Sequence, residues 1–116
     1  EIYRMRSDGT GTTNLTNNAA SDQSAKGSYD GSRLMFTTNR DGNLEVYSMN
    51  LDGGGQSNQT NNPSSDSGPA WSPDQAWVAF TSDRSGNREV YFTAPGVPQP
   101  YNLTNSPSQE QVTDWR

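Results

Sequence analysis

The sequence predicts an all-β protein built of β-propeller blades, each of four antiparallel strands, about 2.6 blades in all and so an incomplete propeller. Three observations predict it. The first is a gapless 44-residue period: Glu1-Ile2-Tyr3 returns as Glu45-Val46-Tyr47 and Glu89-Val90-Tyr91, and Asn14-Leu15-Thr16 as Asn58-Gln59-Thr60 and Asn102-Leu103-Thr104. Asp30, Phe36, Arg40, Asn43 and Trp71 recur in the same register as Asp74, Phe80, Arg84, Asn87 and Trp115. A fixed period of roughly 20–50 residues marks a solenoid, a propeller or an array. The second is that each period holds short apolar runs bounded by Asp, Gly, Pro or Asn, with no helical periodicity competing. The third is composition. Leu, Ile, Val and Phe number only 14 of 116, yet the net charge is only −5. A chain so polar and so nearly balanced fits thin repeated sheets with many loops better than a disordered tail.

The elements follow in order within one period. Strand A is "QSAKGS" (23–28), "SGPAWS" (67–72) and "EQVTDW" (110–115), each of the first two followed by a turn, "YDGS" or "PDQA". Strand B is "SRLMFTT" (32–38) and "AWVAFTS" (76–82). Strand C is "LEVYSMN" (44–50) and "REVYFTA" (88–94), with Val and the residue two along on one face and Glu and Tyr on the other. Between B and C lie "NRDGN" and "DRSGN", where a Gly at the fourth place supplies the positive φ of a tight hairpin. Strand D is "TTNLT", "QSNQT" and "PYNLT", reached through "SDGTG", "LDGGG" and the divergent "PGVPQ".

The chain thus reads C-D, A-B-C-D, A-B-C-D, A. Residues 1–18 end one blade, 19–62 and 63–106 are whole blades, and 107–116 give the first strand of a further one. Propellers protect their sheet edges by radial closure. The expectation is that missing sequence or another chain is needed to close the ring.

Absences narrow the function. Without cysteine there is neither a disulfide framework nor a thiolate metal site, and without histidine the usual general base and transition-metal ligand are gone. A Ser-His-Asp or Cys-His site is therefore ruled out, and no G-x-S-x-G elbow occurs. No residue pattern implies a cofactor, and "DRSGN" lacks the spaced carboxylates of a calcium loop. No apolar run is long enough for a membrane span, and "EIYRMRSDG" does not read as a signal peptide. Eight basic against thirteen acidic residues leave no basic stripe for nucleic acid.

The stretch "PAWSPDQAWVAFTSDRSGNREVYF" resembles the TolB-like propeller repeat, a relative of WD-type blades, with its Trp-Ser-Pro-Asp turn, its apolar strand ending in Phe and its Ser-Asp-Arg-x-Gly-Asn hairpin. Gln75 stands for the expected Gly, Tyr29 for Pro, Gly27 for Trp and Gln59 for Leu. The resemblance implies a bacterial, periplasmic or extracellular, non-enzymatic platform for a protein or peptide partner. It equally admits the propeller portion of a larger peptidase or sugar lyase whose catalytic residues lie outside this chain.

Topology selects a face. In an up-and-down blade the D-A and B-C loops share one end, and the D-A loops "NNAASDQSA", "NNPSSDSGP" and "NSPSQEQVT" are the longest connections. Asp22, Asp66 and Glu110 fall at one register within them. If strand A lines the channel, these three form an acidic ring at its mouth and are the candidate ligand-binding residues for a basic peptide or a cation. A repeated Asp in a Ser/Asn-rich loop also serves as a turn residue bonding its own backbone. Arg40 and Arg84 are expected to bridge adjacent blades, and the N-x-Thr triplets to mark the end of strand D.

Overall fold

The computed structural model describes residues 1–94 and 97–115. Its regular structure is all strand: β1 (Tyr3–Arg4), β2 (Thr13–Asn14), β3 (Asp22–Gly27), β4 (Arg33–Thr38), β5 (Glu45–Asn50), β6 (Ser57–Asn58), β7 (Asp66–Trp71), β8 (Val78–Ser82), β9 (Glu89–Thr93) and β10 (Tyr101–Asn102). β3-β4-β5-β6 and β7-β8-β9-β10 are four-stranded antiparallel sheets in the expected A-B-C-D order, and β1-β2 is a C-D pair ahead of them. They are called blades 2, 3 and 1 below. No helix among the described residues is long and apolar enough to cross a membrane. Of the divergent "PGVPQ" connection, Pro95 and Gly96 lie outside the described residues, as does Arg116.

Each turn has a chemical cause. At the A-B turn the Ser28 hydroxyl donates to Asp30 Oδ1 (2.6 Å) and accepts from Arg33 N (3.0 Å), while Ser32 N donates to the same carboxylate (3.0 Å). These bonds, the Ser28 hydroxyl first, hold the Asp30 carboxyl down at about 2. Ser72 and Asp74 repeat the arrangement in blade 3, with Ala76 N and Trp77 N as donors. The corner residue needs positive φ: Gly31 takes +69°, and Gln75 is forced to +61°. Gln75→Gly is therefore expected to raise stability by about 1 kcal/mol, read as a higher Tm. An unchanged or lower Tm would mean that the bond Gln75 Oε1 accepts from Asp30 N (3.3 Å) outweighs the backbone strain.

Strand A keeps its expected length in blades 2 and 3, one residue earlier, but is bulged, and strand D is shorter than expected. β3 and β7 each carry a bulge, where Ser24 (φ +56°) and Gly68 (φ +62°) step out of register. Gly68 N then donates to Thr37 Oγ1 of blade 2 (3.2 Å), and Val112 N to Thr81 Oγ1 of blade 3 (3.0 Å). Residues 110–115 thus follow the path of β7 one blade on, but form no strand because no strand B pairs with them. Strand D is only two residues long because a threonine takes over the ladder. Thr60 Oγ1 accepts from Val46 N (3.1 Å) and donates to Glu45, as Thr16 does with Ile2 and Glu1 and Thr104 with Val90 and Glu89.

The core lies between blades, as two clusters. Ile2 and Leu15 of blade 1 pack on Phe36, Tyr47 and Met49. Met35 and Val46 of blade 2 pack on Val78, Phe80 and Tyr91, with Trp71 against them. Strand C therefore uses both faces, Val46 toward the next blade and Tyr47 toward the preceding one, as its alternation predicts. Complete burial of a ring such as Phe80 stabilises by about 2–3 kcal/mol. The first boundary is also tied by polar groups: Gln56 Nε2 donates to Leu15 O (3.1 Å) and Thr16 O (3.3 Å). Gly53, with φ +90°, brings the C-D turn of blade 2 so close that an added Cβ would sit 2.6 Å from Leu15 O.

Candidate functional site

The D-A and B-C loops meet at one end of the blades. Ser21 N donates to Asn39 Oδ1 and Ser65 N to Asp83 Oδ1, both at 2.9 Å. Two of the three expected contact residues are turned inward here. The side chains of Asp22 and Asp66 are 0% exposed, on Arg40 (3.3 Å) and Arg84 (2.9 Å). Burial pushes the Asp66 carboxyl above its ordinary value despite Ser82 and Arg84. At Asp22 burial acts the same way, but Thr38, Thr16 and Arg40 together bring the carboxyl below the ordinary value. Glu110 is half-buried and forms no ion pair among the described residues. No hydrogen bond or ion pair joins the three acids to one another among the described residues.

The arginines do not bridge blades directly, contrary to the sequence expectation. Arg84 Nε donates to Ser82 Oγ (2.9 Å), its Nη2 reaches Asp66, and its guanidinium lies 5.3 and 4.9 Å from the Phe80 and Tyr91 ring centres. Arg40 repeats this with Thr38, Asp22, Phe36 and Tyr47. The reason is reach: from the second residue after strand B, the side chain folds back over strands B and C to the start of strand A. Blade 2 alone adds a further link, Arg40 Nη1 to Gln56 Oε1 (2.7 Å), and Gln56 in turn holds the blade 1 carbonyls. Position 100 in blade 3 is Pro, so that link is not repeated.

A second network fixes the D-A loops. Asn43 Nδ2 donates to Asn62 O and Ser64 O (both 2.7 Å), and Glu45 accepts from Asn62 N (2.9 Å) and the Thr60 hydroxyl. In blade 3, Asn87 Nδ2 donates to Ser106 O and Ser108 O (both 2.8 Å), and Glu89 accepts from Ser106 N (2.9 Å) and the Thr104 hydroxyl. The Glu89 carboxyl is held below its usual range, first by that hydroxyl. Asn58 Oδ1 accepts from Thr60 N (3.0 Å) and Asn61 N (2.8 Å), so the N-x-Thr triplet is an Asx turn closing strand D. Sequence reasoning saw Asn43 and Glu45 recur but gave them no role, and read Thr60 only as marking the end of strand D. Their spacing of 2 and 15 residues was the available signal. The consequence is that long, polar D-A loops are held by buried acids rather than left loose, with Asp41, Asp83 and Arg88 exposed around them.

The opposite end, formed by the A-B and C-D turns, carries a feature the sequence did not announce. A cleft of about 550 Å³ opens there between blades 2 and 3, with Arg33, Gln59, Trp71, Gln75 and Thr93 among its walls. The Trp71 indole N–H beside it is shielded from water and has no acceptor among the described residues.

Comparison with known proteins gives one family and two solved structures. The model of the TolB beta propeller domain matches residues 27–115. The chain described as TolB from Agrobacterium tumefaciens is similar at TM-score 0.80 and 26% identity, over 92% of this chain and 38% of that one. TolB from Acinetobacter baumannii is similar at TM-score 0.66 and 27% identity, over 89% of this chain and 26% of that one. This chain therefore spans well under half the length of either. A search of curated proteins returned no match.

Proposed function

The chain belongs to the TolB beta propeller domain family, and from that premise we propose that it is a non-enzymatic module that captures a protein or peptide at the face formed by its D-A and B-C loops. The supporting observation is the Glu45/Asn43 and Glu89/Asn87 network, which fixes those loops before any partner arrives. Loops already ordered lose little entropy on binding, so fewer contacts suffice for affinity. On this reading the blades run 1–18, 19–62, 63–106 and 107–116. Of Asp22, Asp66 and Glu110, the first two shape the channel mouth from inside while Glu110, with the exposed Asp41 and Asp83, faces the partner. Those exposed acids favour a basic peptide. A periplasmic or extracellular location accompanies the proposal, on family resemblance alone.

Two end faces bear on assembly. Tyr3 (60%) and Met5 (65%) are exposed at the positions of Tyr47 and Met49, and Leu103 (62%) is exposed at the position of Leu15. These positions are complementary inside the chain, since Leu15 packs with Tyr47 and Met49. Further blades or a second chain would cover them.

A displayed peptide library panned on the immobilised full-length protein tests the proposal. Basic peptides should be enriched, and Glu110→Lys should weaken their retention by about tenfold with Tm unchanged. Recovery of no saturable binder, or of binders indifferent to Glu110→Lys, Asp41→Lys and Asp83→Lys alike, rejects this face.

A further inference from the structure

Three positions, Gln59, Thr93 and Gln75, break the 44-residue repeat at one place. Between blades 1 and 2, Leu15 and Met49 belong to one apolar cluster. One blade on, the corresponding pair is Gln59 and Thr93, and the cleft opens there. Trp71 stands where blade 2 has Gly27, and Gln75 where it has Gly31, and both line the same cleft. Random drift in a repeat scatters over its surface. Gln59, Thr93 and Gln75 converge beside Trp71, which recurs as Trp115, and Gln75 does so at the cost of a strained φ, which is the pattern of a site.

The chemistry of the walls selects a ligand class. Gln59 Nε2 donates to Ser48 Oγ (3.0 Å) and Ser57 Oγ (2.8 Å), and Arg33 Nη2 donates to the same Ser48 Oγ (2.8 Å). Arg33 forms no ion pair among the described residues, so its remaining donors face the cleft without a carboxylate partner. Asp30 and Asp74 supply acceptors at the rim, and Trp71 an aromatic wall. Two acids against one base disfavour an anion, and the guanidinium disfavours a small cation. Closely spaced donors and acceptors beside an indole suit a neutral molecule with many hydroxyls. The volume lies within the ~300–1,000 Å³ range of small-molecule pockets.

We propose that the cleft between blades 2 and 3 binds a short neutral saccharide, on the face opposite the D-A loops. The site is independent of peptide capture, and either can fail alone. Gln59 and Arg33 bind ring hydroxyls, Trp71 packs on a sugar face, and Thr93 keeps open the space that Met49 fills one blade earlier.

Maltose and N,N′-diacetylchitobiose, titrated separately into the ¹⁵N-labelled full-length protein, provide the test. The indole N–H signal of Trp71, identified by its loss in Trp71→Phe, should shift saturably with at least one of them. Gln59→Leu, which restores the repeat residue, should weaken that binding at least about tenfold. Thr93→Met, which refills the cleft from the other wall, should do the same and serves where Gln59→Leu does not fold. Absence of a saturable shift with both sugars overturns the proposal. So does an equal shift with glycerol, or affinity unchanged in the folded variants.

Discussion

Gly53→Ala is expected to destabilise the protein by about 3 kcal/mol, chiefly by parting blade 1 from blade 2. Two costs combine. A Cβ at φ +90° strains the backbone by roughly 1–2 kcal/mol. The same Cβ would then stand 2.6 Å from the Leu15 carbonyl, and a main-chain atom just past β2, its own N–H bonded to Ile2 O, yields less readily than a side chain. Gly9 supplies the control, because it holds the equivalent place in blade 1 at φ +84° and an added Cβ there meets nothing within 4 Å. Gly9→Ala should cost only the backbone share, about 1–2 kcal/mol. Urea unfolding of both variants measures the difference. Equal losses would show that the close approach between blades contributes nothing.

Arg84→Met should cost about 3–5 kcal/mol at pH 7, the usual penalty for leaving a buried charge without its partner. Asp66 is 0% exposed and its carboxyl is already held above the ordinary value by burial. Removing the guanidinium raises it further. A carboxyl whose folded-state pKa exceeds its unfolded value gives stability that is fully present below the unfolded value and lost as pH rises through the folded one. The deficit of Arg84→Met should therefore shrink on going from pH 7 toward pH 4. Adding Asp66→Asn should recover part of it at pH 7 and little at pH 4. A loss below about 1 kcal/mol, or one that ignores pH, would mean that the pair behaves as a surface ion pair.

The blades were legible in the sequence because most turn residues and the inter-blade rings Phe36/Phe80 and Tyr47/Tyr91 repeat at the same register. Phe36 opposite Tyr47 and Phe80 opposite Tyr91 follow from counting alone. The inward turn of Asp22 and Asp66 was not legible. Strand A contains a bulge, and alternation counted by twos fails across it. The residues that step out, Ser24 and Gly68, are unlike each other and give no common signal. Arg40 and Arg84 were visible as a repeat, but their partner depends on the A-B register, which sets Asp22 opposite Thr38 and Asp66 opposite Ser82. The cleft was half visible. Gln59 and Gln75 each stood out as departures, but one lies past strand D and the other in an A-B turn, and only the stacking of one sheet on the next brings them to one cavity with Trp71.

The exchange of Leu15 and Met49 for Gln59 and Thr93 also makes the stack mechanically uneven. Repeat proteins share load through nearest-neighbour interfaces, and the weakest interface governs how the array comes apart. Here blades 2 and 3 are each closed internally by their own arginine, so either should hold together after the other has separated. The seam between blades 2 and 3 lacks the Gln56-type clamp and part of the apolar fill, so it should open first beside the cleft. Amides that cross it, such as Gly68 N on Thr37, should exchange with solvent through a hinge-like opening well before the ladders of β4 and β5 break. The same seam that would admit a ligand thus sets the order in which the protein yields under force or heat.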